Sequence, residues 1–412
     1  MRKLSAFGAL WTSQGASNAA DGILAAAAPL LLASLTRDPL AVAGMTVVQF
    51  SPWLLFTLPA GALTDRMDRR RVLVAGNLLR GAGFALLATA VALGWESVGL
   101  LYAAVFVAGT AETLVDNAAL TVPPRIVPRR NLERANGRLF ATQSVINTFV
   151  GPPIGSFLVA IAATLAFFGS AGLFAVAALA ALLLPRLLPT AAEESAAGDS
   201  PTSMLSDIKA GWRHFWTHHL LRRVAFISAA INLFGTATGA ILVLLATGPL
   251  GVPAAAYGLF IAVPAAGAVL GSLIAEKVIP LIGGGPVLWA AALGPAASFA
   301  VLGLTANVVV ALAGMFLAAV TTACSQIVVS TLRQAVVPDA LLGRVTAAYR
   351  LVVLGVVPVG GLTGGVLAVV FGLREAFVIA AAGLALAAVV LAPRVTSAAL
   401  REAEVVAEPS RV

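Results

Sequence analysis

The sequence predicts an all-α integral membrane protein of twelve transmembrane helices arranged as two pseudo-symmetric six-helix bundles. Three observations predict it. Of 412 residues, 60% are hydrophobic and only 11% charged, whereas an ordinary soluble domain carries about 25% charged residues. The apolar residues gather into windows close to the roughly 20 residues that a helix needs to cross a bilayer. The second half of the chain also repeats the first at a fixed offset of 210 positions. Together these exclude a sizeable soluble domain.

The first window, 8–35, follows Met1, Arg2 and Lys3. That start has the charge of a signal peptide, but its apolar run outlasts a short h-region and no Ala-x-Ala site ends it, so it reads as a retained span. Pro39 opens the second window, 40–63, and the arginines at 66 and 69–71 close it. The third and fourth, 72–94 and 98–121, are separated by Gly94-Trp-Glu-Ser97. The connector from Pro123 to Arg138 precedes the fifth, 139–163, and a few residues separate it from the sixth, 166–185. The second half gives 222–247, 254–279, 286–305, 307–331, 345–370 and 374–393, divided by Gly/Pro punctuation. The expected organisation is an N-terminal bundle over 1–188, a linker over 189–221, a C-terminal bundle over 222–393 and a tail over 394–412.

With the N-terminus in the cytoplasm, 23 of the 26 basic residues fall inside, Arg37 and Arg374 fall outside, and Arg80 lies within a span. This is the positive-inside asymmetry, and it predicts an inner-membrane protein with both termini cytoplasmic. The net charge of +8 is therefore a topology signal and does not imply a nucleic-acid partner. Cys324 is the single cysteine, which excludes an internal disulfide and a thiolate metal cluster. In the linker, Leu205, Ile208, Trp212, Phe215 and His219 recur at helical spacing, with Lys209, Arg213 and Arg222 elsewhere. The pattern suits a helix lying in the membrane interface, and equally a solvated linker helix. His214, His218 and His219 have no carboxylate or thiol beside them and read as a solvated face, not a metal site.

The repeat pairs Pro39-Leu40 with Pro249-Leu250, Gly61 with Gly271, Val127-Pro128 with Val337-Pro338, Arg134 with Arg344, and Gly151 and Gly155 with Gly361 and Gly365. Parallel six-span repeats are one transporter architecture, with the pathway between the halves. After the second span stands Gly61-Ala-Leu63-Thr-Asp65-Arg66-Met-Asp68-Arg69-Arg70-Arg71. This resembles the signature loop of the major facilitator superfamily, Gly-x-Leu-x-Asp-Arg-x-Gly-Arg-Arg, and with the twelve spans and the repeat the resemblance covers the whole chain. Physically, Gly61 lets two helices approach, and Asp65 is placed to face the positive end of another helix. Arg66, Arg69 and Arg70 can bridge to carboxylates or lipid phosphates. The resemblance implies that Asp65 contacts the eleventh span and locks the outward-facing state. Asp68 departs from the pattern, which has Gly there, and the matching loop, Gly271-Ser-Leu-Ile-Ala275-Glu-Lys277, lacks the Asp-Arg pair, so the lock is expected to be one-sided.

Asn147-Thr-Phe-Val-Gly151-Pro152-Pro-Ile-Gly155-Ser156 is similar to the glycine-proline element of drug and proton antiporters, with its first and last glycines replaced. Pro152 bends the helix, and Gly151 and Gly155 leave a smooth packing face; a plain structural kink is the other reading. Pro128-Arg-Arg-Asn131-Leu-Glu-Arg134-Ala-Asn136-Gly137 and Asn18-Ala-Ala-Asp21-Gly22 resemble the branch that contains macrolide efflux pumps and enterobactin exporters.

Four ionisable residues fall inside the spans: Asp21, Arg80, Glu112 and Asp116. A charge at mid-bilayer costs roughly 2.5–3.5 kcal/mol on insertion scales and survives with a partner or a water-filled cavity. Arg80 lies about 12 Å into the third span, and Glu112 and Asp116 lie at overlapping depth in the fourth, so an ion pair between these two spans is expected. Asp21, near the middle of the first span with Asn18 and Gln14 one and two turns earlier, shows no basic partner at its own depth. It is the leading candidate for the proton or substrate pathway; a structural charge cluster is the alternative for Arg80, Glu112 and Asp116. The second half offers Asn232, Thr321, Thr322, Cys324, Ser325 and Gln326 and should supply an apolar wall. The reading is an exporter of a small amphipathic compound, a monomer among membrane lipids, driven by protons and needing no cofactor or metal. An importer or facilitator of the same fold is the alternative. A membrane enzyme or scaffold is the weaker one, for want of a nucleophile-base pair or phosphate loop.

Overall fold

The computed structural model describes residues 2–188, 212, 213, 215–391 and 396–398; side chains at 2–5, 57, 58, 61, 62, 65, 66, 339 and 340 lie outside that description. Among the described residues it is a helical protein with twelve segments long and apolar enough to cross a membrane. The first half comprises α1 (Arg2–Leu35), α2 (Pro39–Arg66), α3 (Arg69–Ala92), α4 (Val98–Thr121), the short α5 (Pro123–Ile126), α6 (Leu132–Val145), α7 (Gly151–Ile161) and α8 (Ala163–Leu182). The second comprises α9 (His219–Thr247), α10 (Ala254–Ile282), α11 (Gly284–Leu304), α12 (Val308–Val336), α13 (Asp339–Gly355), α14 (Val357–Phe371) and α15 (Leu373–Leu391). The expected spans are all present. The fifth is α6 and α7 joined by a π-helical turn, Ile146–Val150, and the eleventh is α13 and α14.

Local chemistry explains the boundaries. Ser97 caps α4 by accepting from the Leu100 amide, and Asn307 caps α12 by accepting from Val309 and Val310. Gly94 ends the turn after α3 at φ +71°, a conformation that glycine adopts without strain. Pro152 falls in the first turn of α7, where its missing N–H costs nothing, and the π turn before it absorbs the bend. Helices of the second half converge on Arg374, whose guanidinium donates to the carbonyls of Gly303, Thr305 and Pro249.

By packing, the chain divides into two units. One takes the chain up to Arg37, then from Val48 through the sixth span, together with Val252–Ala262; the other takes Asp38–Val47, the seventh span up to Gly251, and the chain from Val263 onward. In the first unit, Ala6, Leu10, Leu73, Val115, Ala118, Val122, Ile126 and Leu187 form a buried cluster at the end that carries the arginine-rich loops. Phe84 stacks between Phe167 and Phe174, at 6.3 and 6.1 Å between centroids, and fixes α3 on α8. In the second unit, Phe215, Leu221, Val224, Val287, Val329, Leu332 and Tyr349 make the corresponding core, with Trp212 packed against it. Of the expected linker helix, Trp212 and Phe215 thus dock on a bundle; Leu205, Ile208, Lys209 and His214 lie outside the described residues, as does nearly all of the tail.

Small residues bring the backbones of the first and fifth spans, and of the seventh and eleventh, close together, one residue out of register between the two repeats. In the first unit, a Cβ at Gly22 would lie 2.8 Å from the Ile146 carbonyl oxygen, one at Gly151 would overlap Gly22, and one at Gly155 would overlap the Ile23 carbonyl. In the second, Gly360 packs on the Leu233 carbonyl and Gly364 on that of Ala237. Ile23 and Leu233 are related by the 210-residue offset. Each unit also holds the first turns of a helix from the other sequence half. Gly258 packs directly on the Pro152 backbone, with the Ser156 hydroxyl donating 2.9 Å to the Ala255 carbonyl, and Gly361 and Gly365 pack on Thr46 and Ala43.

Candidate functional site

The first unit buries one guanidinium between two carboxylates. Arg80, in mid-α3, is 2% exposed and makes ion pairs to Asp21 of α1 and, at 3.3 Å, to Glu112 of α4. Its Nη1 donates to the Ser17 hydroxyl at 3.1 Å, and the guanidinium lies 4.3 Å from the centroid of the Phe174 ring. Three helices therefore converge on one side chain, with α8 as a wall. The geometry follows from spacing: Ser17 and Asp21, four apart, share a face of α1, and Arg80 is long enough to span both.

This corrects the expectation that Asp21 has no basic partner, because Arg80 pairs with Asp21 as well as with α4. Asp116 makes no ion pair among the described residues. It lines a cavity of about 400 Å³ with Gln14, Asn18, Asn136 and Gln143 as polar walls and Leu139 and Phe140 as apolar ones. Asn18 accepts from the Asn147 side chain at 3.3 Å. Gln14 Nε2 and Asn147 Oδ1 are buried with no hydrogen-bond partner among the described residues. Buried amide groups are usually paired, so these two are exceptions, and of the two residues Gln14 lines the cavity. The site thus holds three acids, one base and a file of carboxamides, an arrangement able to hold a proton, a cation or a hydrogen-bonding solute.

The element Gly151, Pro152, Gly155 sets this geometry. Its glycines contact α1 at Gly22 and Ile23, immediately after Asp21, so the crossing of α1 and α7 fixes the depth and rotation of that carboxylate. In the second repeat the positions matching Asp21, Arg80, Glu112 and Asp116 are Ile231, Ala290, Thr322 and Gln326. A buried polar contact in that repeat joins the Tyr349 and Ser228 hydroxyls, 2.9 Å apart.

In the signature loop, Gly61, Asp65 and Arg66 fall in the last turns of α2 with side chains outside the described set. The second-repeat counterpart Gly271 packs on the Val320 backbone, with Cys324 Sγ donating 3.2 Å to its carbonyl. Arg69 is fully buried and its guanidinium donates to the Met67 carbonyl at 3.1 Å, so it cannot serve as a lipid-phosphate contact. Arg70 is half-buried beside it. Asp68, where the resemblance expects Gly, caps α3: its Oδ1 accepts from Arg70 N at 3.1 Å and from Leu187 N at 2.9 Å. The Arg69 amide returns to the Leu187 carbonyl and Arg125 donates to that of Leu188 at 2.7 Å. Asp68 thereby ties the loop to the chain leaving α8. Asp68→Ala is expected to lower stability by about 1–2 kcal/mol through lost capping and an unpaired Leu187 amide, whereas Asp68→Asn keeps an acceptor and most of the stability. Denaturant unfolding of both purified variants checks this.

The profile of the transmembrane secretion effector family, of the major facilitator type, matches residues 2–410. An uncharacterized MFS-type transporter of Mycobacterium tuberculosis is 36% identical over 154 residues, which is 37% of this chain and 34% of that relative, so the match spans about a third of the relative's length. The enterobactin exporter of Escherichia coli O1:K1 is 24% identical over 346 residues, 84% of this chain and 80% of the exporter. Among solved structures, the nucleoside transporter NupG (D323A mutant) superimposes with a TM-score of 0.74 at 12% identity, covering 95% of this chain and 99% of that one, which shows the shared fold. With a profile match running nearly end to end over twelve spans, the chain belongs to the transmembrane secretion effector family of major facilitator transporters, and it is a multi-pass membrane protein.

Proposed function

We propose that this transporter exports a small amphipathic compound, of drug, antibiotic or siderophore character, across the cytoplasmic membrane by alternating access in exchange for protons. The observation that carries the reading is the imbalance around Arg80: one buried guanidinium faces Asp21 and Glu112 while Asp116 lines the adjoining cavity. A single base neutralises one carboxylate, and the other acids need water, a proton or a ligand to remain where they are. When Asp21 takes up a proton, Arg80 turns wholly to Glu112. When Asp21 loses it, the guanidinium is shared again. Protonation thus changes which helices are held together, which is what coupling to a conformational change requires.

The cavity beside these groups is lined by the side-chain amides of Gln14, Asn18, Asn136 and Gln143 together with the apolar Leu139 and Phe140, a composition suited to an amphipathic solute. The likeness to the enterobactin exporter supports the outward direction. The two repeats, 1–188 and 222–393, would act as the alternating halves of a monomer. Both termini and the linker would be cytoplasmic, as the distribution of arginines indicates, and Asp65 would provide the one-sided lock. No metal or cofactor enters the scheme.

The test is transport in inverted vesicles, using a compound first identified by screening efflux in cells that lack their own pumps. Uptake into the vesicles should require an interior-acid gradient and collapse with a protonophore. Gradient-independent equilibration would make the protein a facilitator, and accumulation only with an interior-alkaline gradient would reverse the direction.

A further inference from the structure

A second cavity, of about 470 Å³, lies against a different face of α6 from the acid-lined one. Successive residues of an α-helix turn by about 100°. The residues of α6 that line the first cavity, Asn136, Leu139, Phe140 and Gln143, therefore lie on a different face from those that line the second, Arg134, Ala135 and Arg138, which Asn131 joins from the turn before the helix. The second cavity's walls are apolar, from Phe7 of α1 and Ile126 to Pro128 of the connector. Neither Arg134 nor Arg138 has a carboxylate partner among the described residues. They stand four apart, so both guanidiniums project over the same opening. They also lie at the arginine-rich end of the span, at the level where a bilayer's headgroups begin.

We propose that this cavity is a binding site for the headgroup of an anionic phospholipid, the phosphate held by Arg134 and Arg138 and the glycerol and first acyl carbons resting against Phe7 and Val127. The chemistry is complementary. A guanidinium binds phosphate oxygens in a planar fork, anionic lipids concentrate at juxtamembrane basic clusters, and the apolar wall excludes a fully hydrated anion. The lipid-phosphate role that the signature loop suggested for Arg69 is closed off by its burial, whereas Arg134 and Arg138 are exposed. A lipid there would brace α6 against α1, behind the wall that carries Asn136 and Gln143.

Native mass spectrometry of the full-length protein, titrated in detergent with dioleoyl phosphatidylglycerol, tests the site. The Arg134→Gln/Arg138→Gln protein should lose at least about tenfold in affinity for one bound lipid. Arg129→Gln/Arg130→Gln, exposed neighbours that do not line the cavity, should bind as the wild type does. Inorganic phosphate in tenfold excess should not displace the lipid. Unchanged affinity in the first variant, an equal loss in the second, or displacement by inorganic phosphate, which would make this a free-phosphate site, overturns the proposal. If the first variant does not fold, phosphatidylglycerol with a photoreactive group near its headgroup decides on the wild type: adducts at Phe7 or within 126–128 support the site, and adducts at neither overturn it.

Discussion

Arg80→Ala should remove most of the folded protein. The substitution leaves Asp21 and Glu112 facing each other across a space from which their shared base has gone, and breaking a buried pair by deleting one partner costs about 3–5 kcal/mol. Asp21, at 21% exposure, bears more of that cost than Glu112 at 44%, since the more exposed carboxylate can be solvated. Asp21→Asn added to Arg80→Ala should therefore restore more protein than Glu112→Gln added to the same variant. Fluorescence-detected size-exclusion of the three variants reads this directly. Wild-type yield from Arg80→Ala, or equal rescue by the two second changes, would remove Arg80 from the centre of the bundle.

Gly155→Val should be nearly as damaging, for a reason of shape alone. A Cβ at Gly155 would meet the carbonyl, carbon and Cα of Ile23. These are backbone atoms, so no side chain can rotate away and α1 must move. Even Gly155→Ala should cost about 1–3 kcal/mol, the range for overpacking a tight contact, and the branched Val more. Gly169, also helical, has nothing within 4 Å of its added Cβ, and Gly169→Ala should be neutral or slightly stabilising. Thermal unfolding of the three purified proteins tests the crossing; equal midpoints for the two alanine variants would contradict it. Because Ile23 lies two residues from Asp21, transport in any surviving Gly155→Ala protein should fall further than its stability.

The spans were legible because lipid demands long apolar helices. The repeat was legible because matched turns such as Val127-Pro128 and Val337-Pro338 keep their residues. What escaped was register between helices. Counting from residue 72 set Arg80 too shallow, whereas α3 begins at Arg69, which places Arg80 about 16 Å along the helix. The long arginine side chain then reaches Asp21, an approach that linear depth does not express. The signal available was Ser17, one turn before Asp21 on the same face and itself a ligand of Arg80. Asp68 looked like a departure from a motif, and only the return of Leu187 to the start of α3 shows it to be a cap. The π turn at Ile146–Val150 has no residue pattern of its own. Gly22, however, stood beside Asp21 in the sequence and could have been paired with Gly151 by the rule that small residues mark helix contacts.

The central claim is that Asp21 exchanges Arg80 for a transported proton, and it is tested most directly by proton flux during substrate movement in proteoliposomes containing wild-type or Asp21→Asn protein. Downhill substrate flow through the wild type should drive a measurable counterflow of protons. A carboxamide in place of the carboxylate cannot ionise, so the variant should still exchange substrate downhill while moving no protons and sustaining no uphill efflux. A wild-type ratio of protons to substrate in Asp21→Asn would contradict the account.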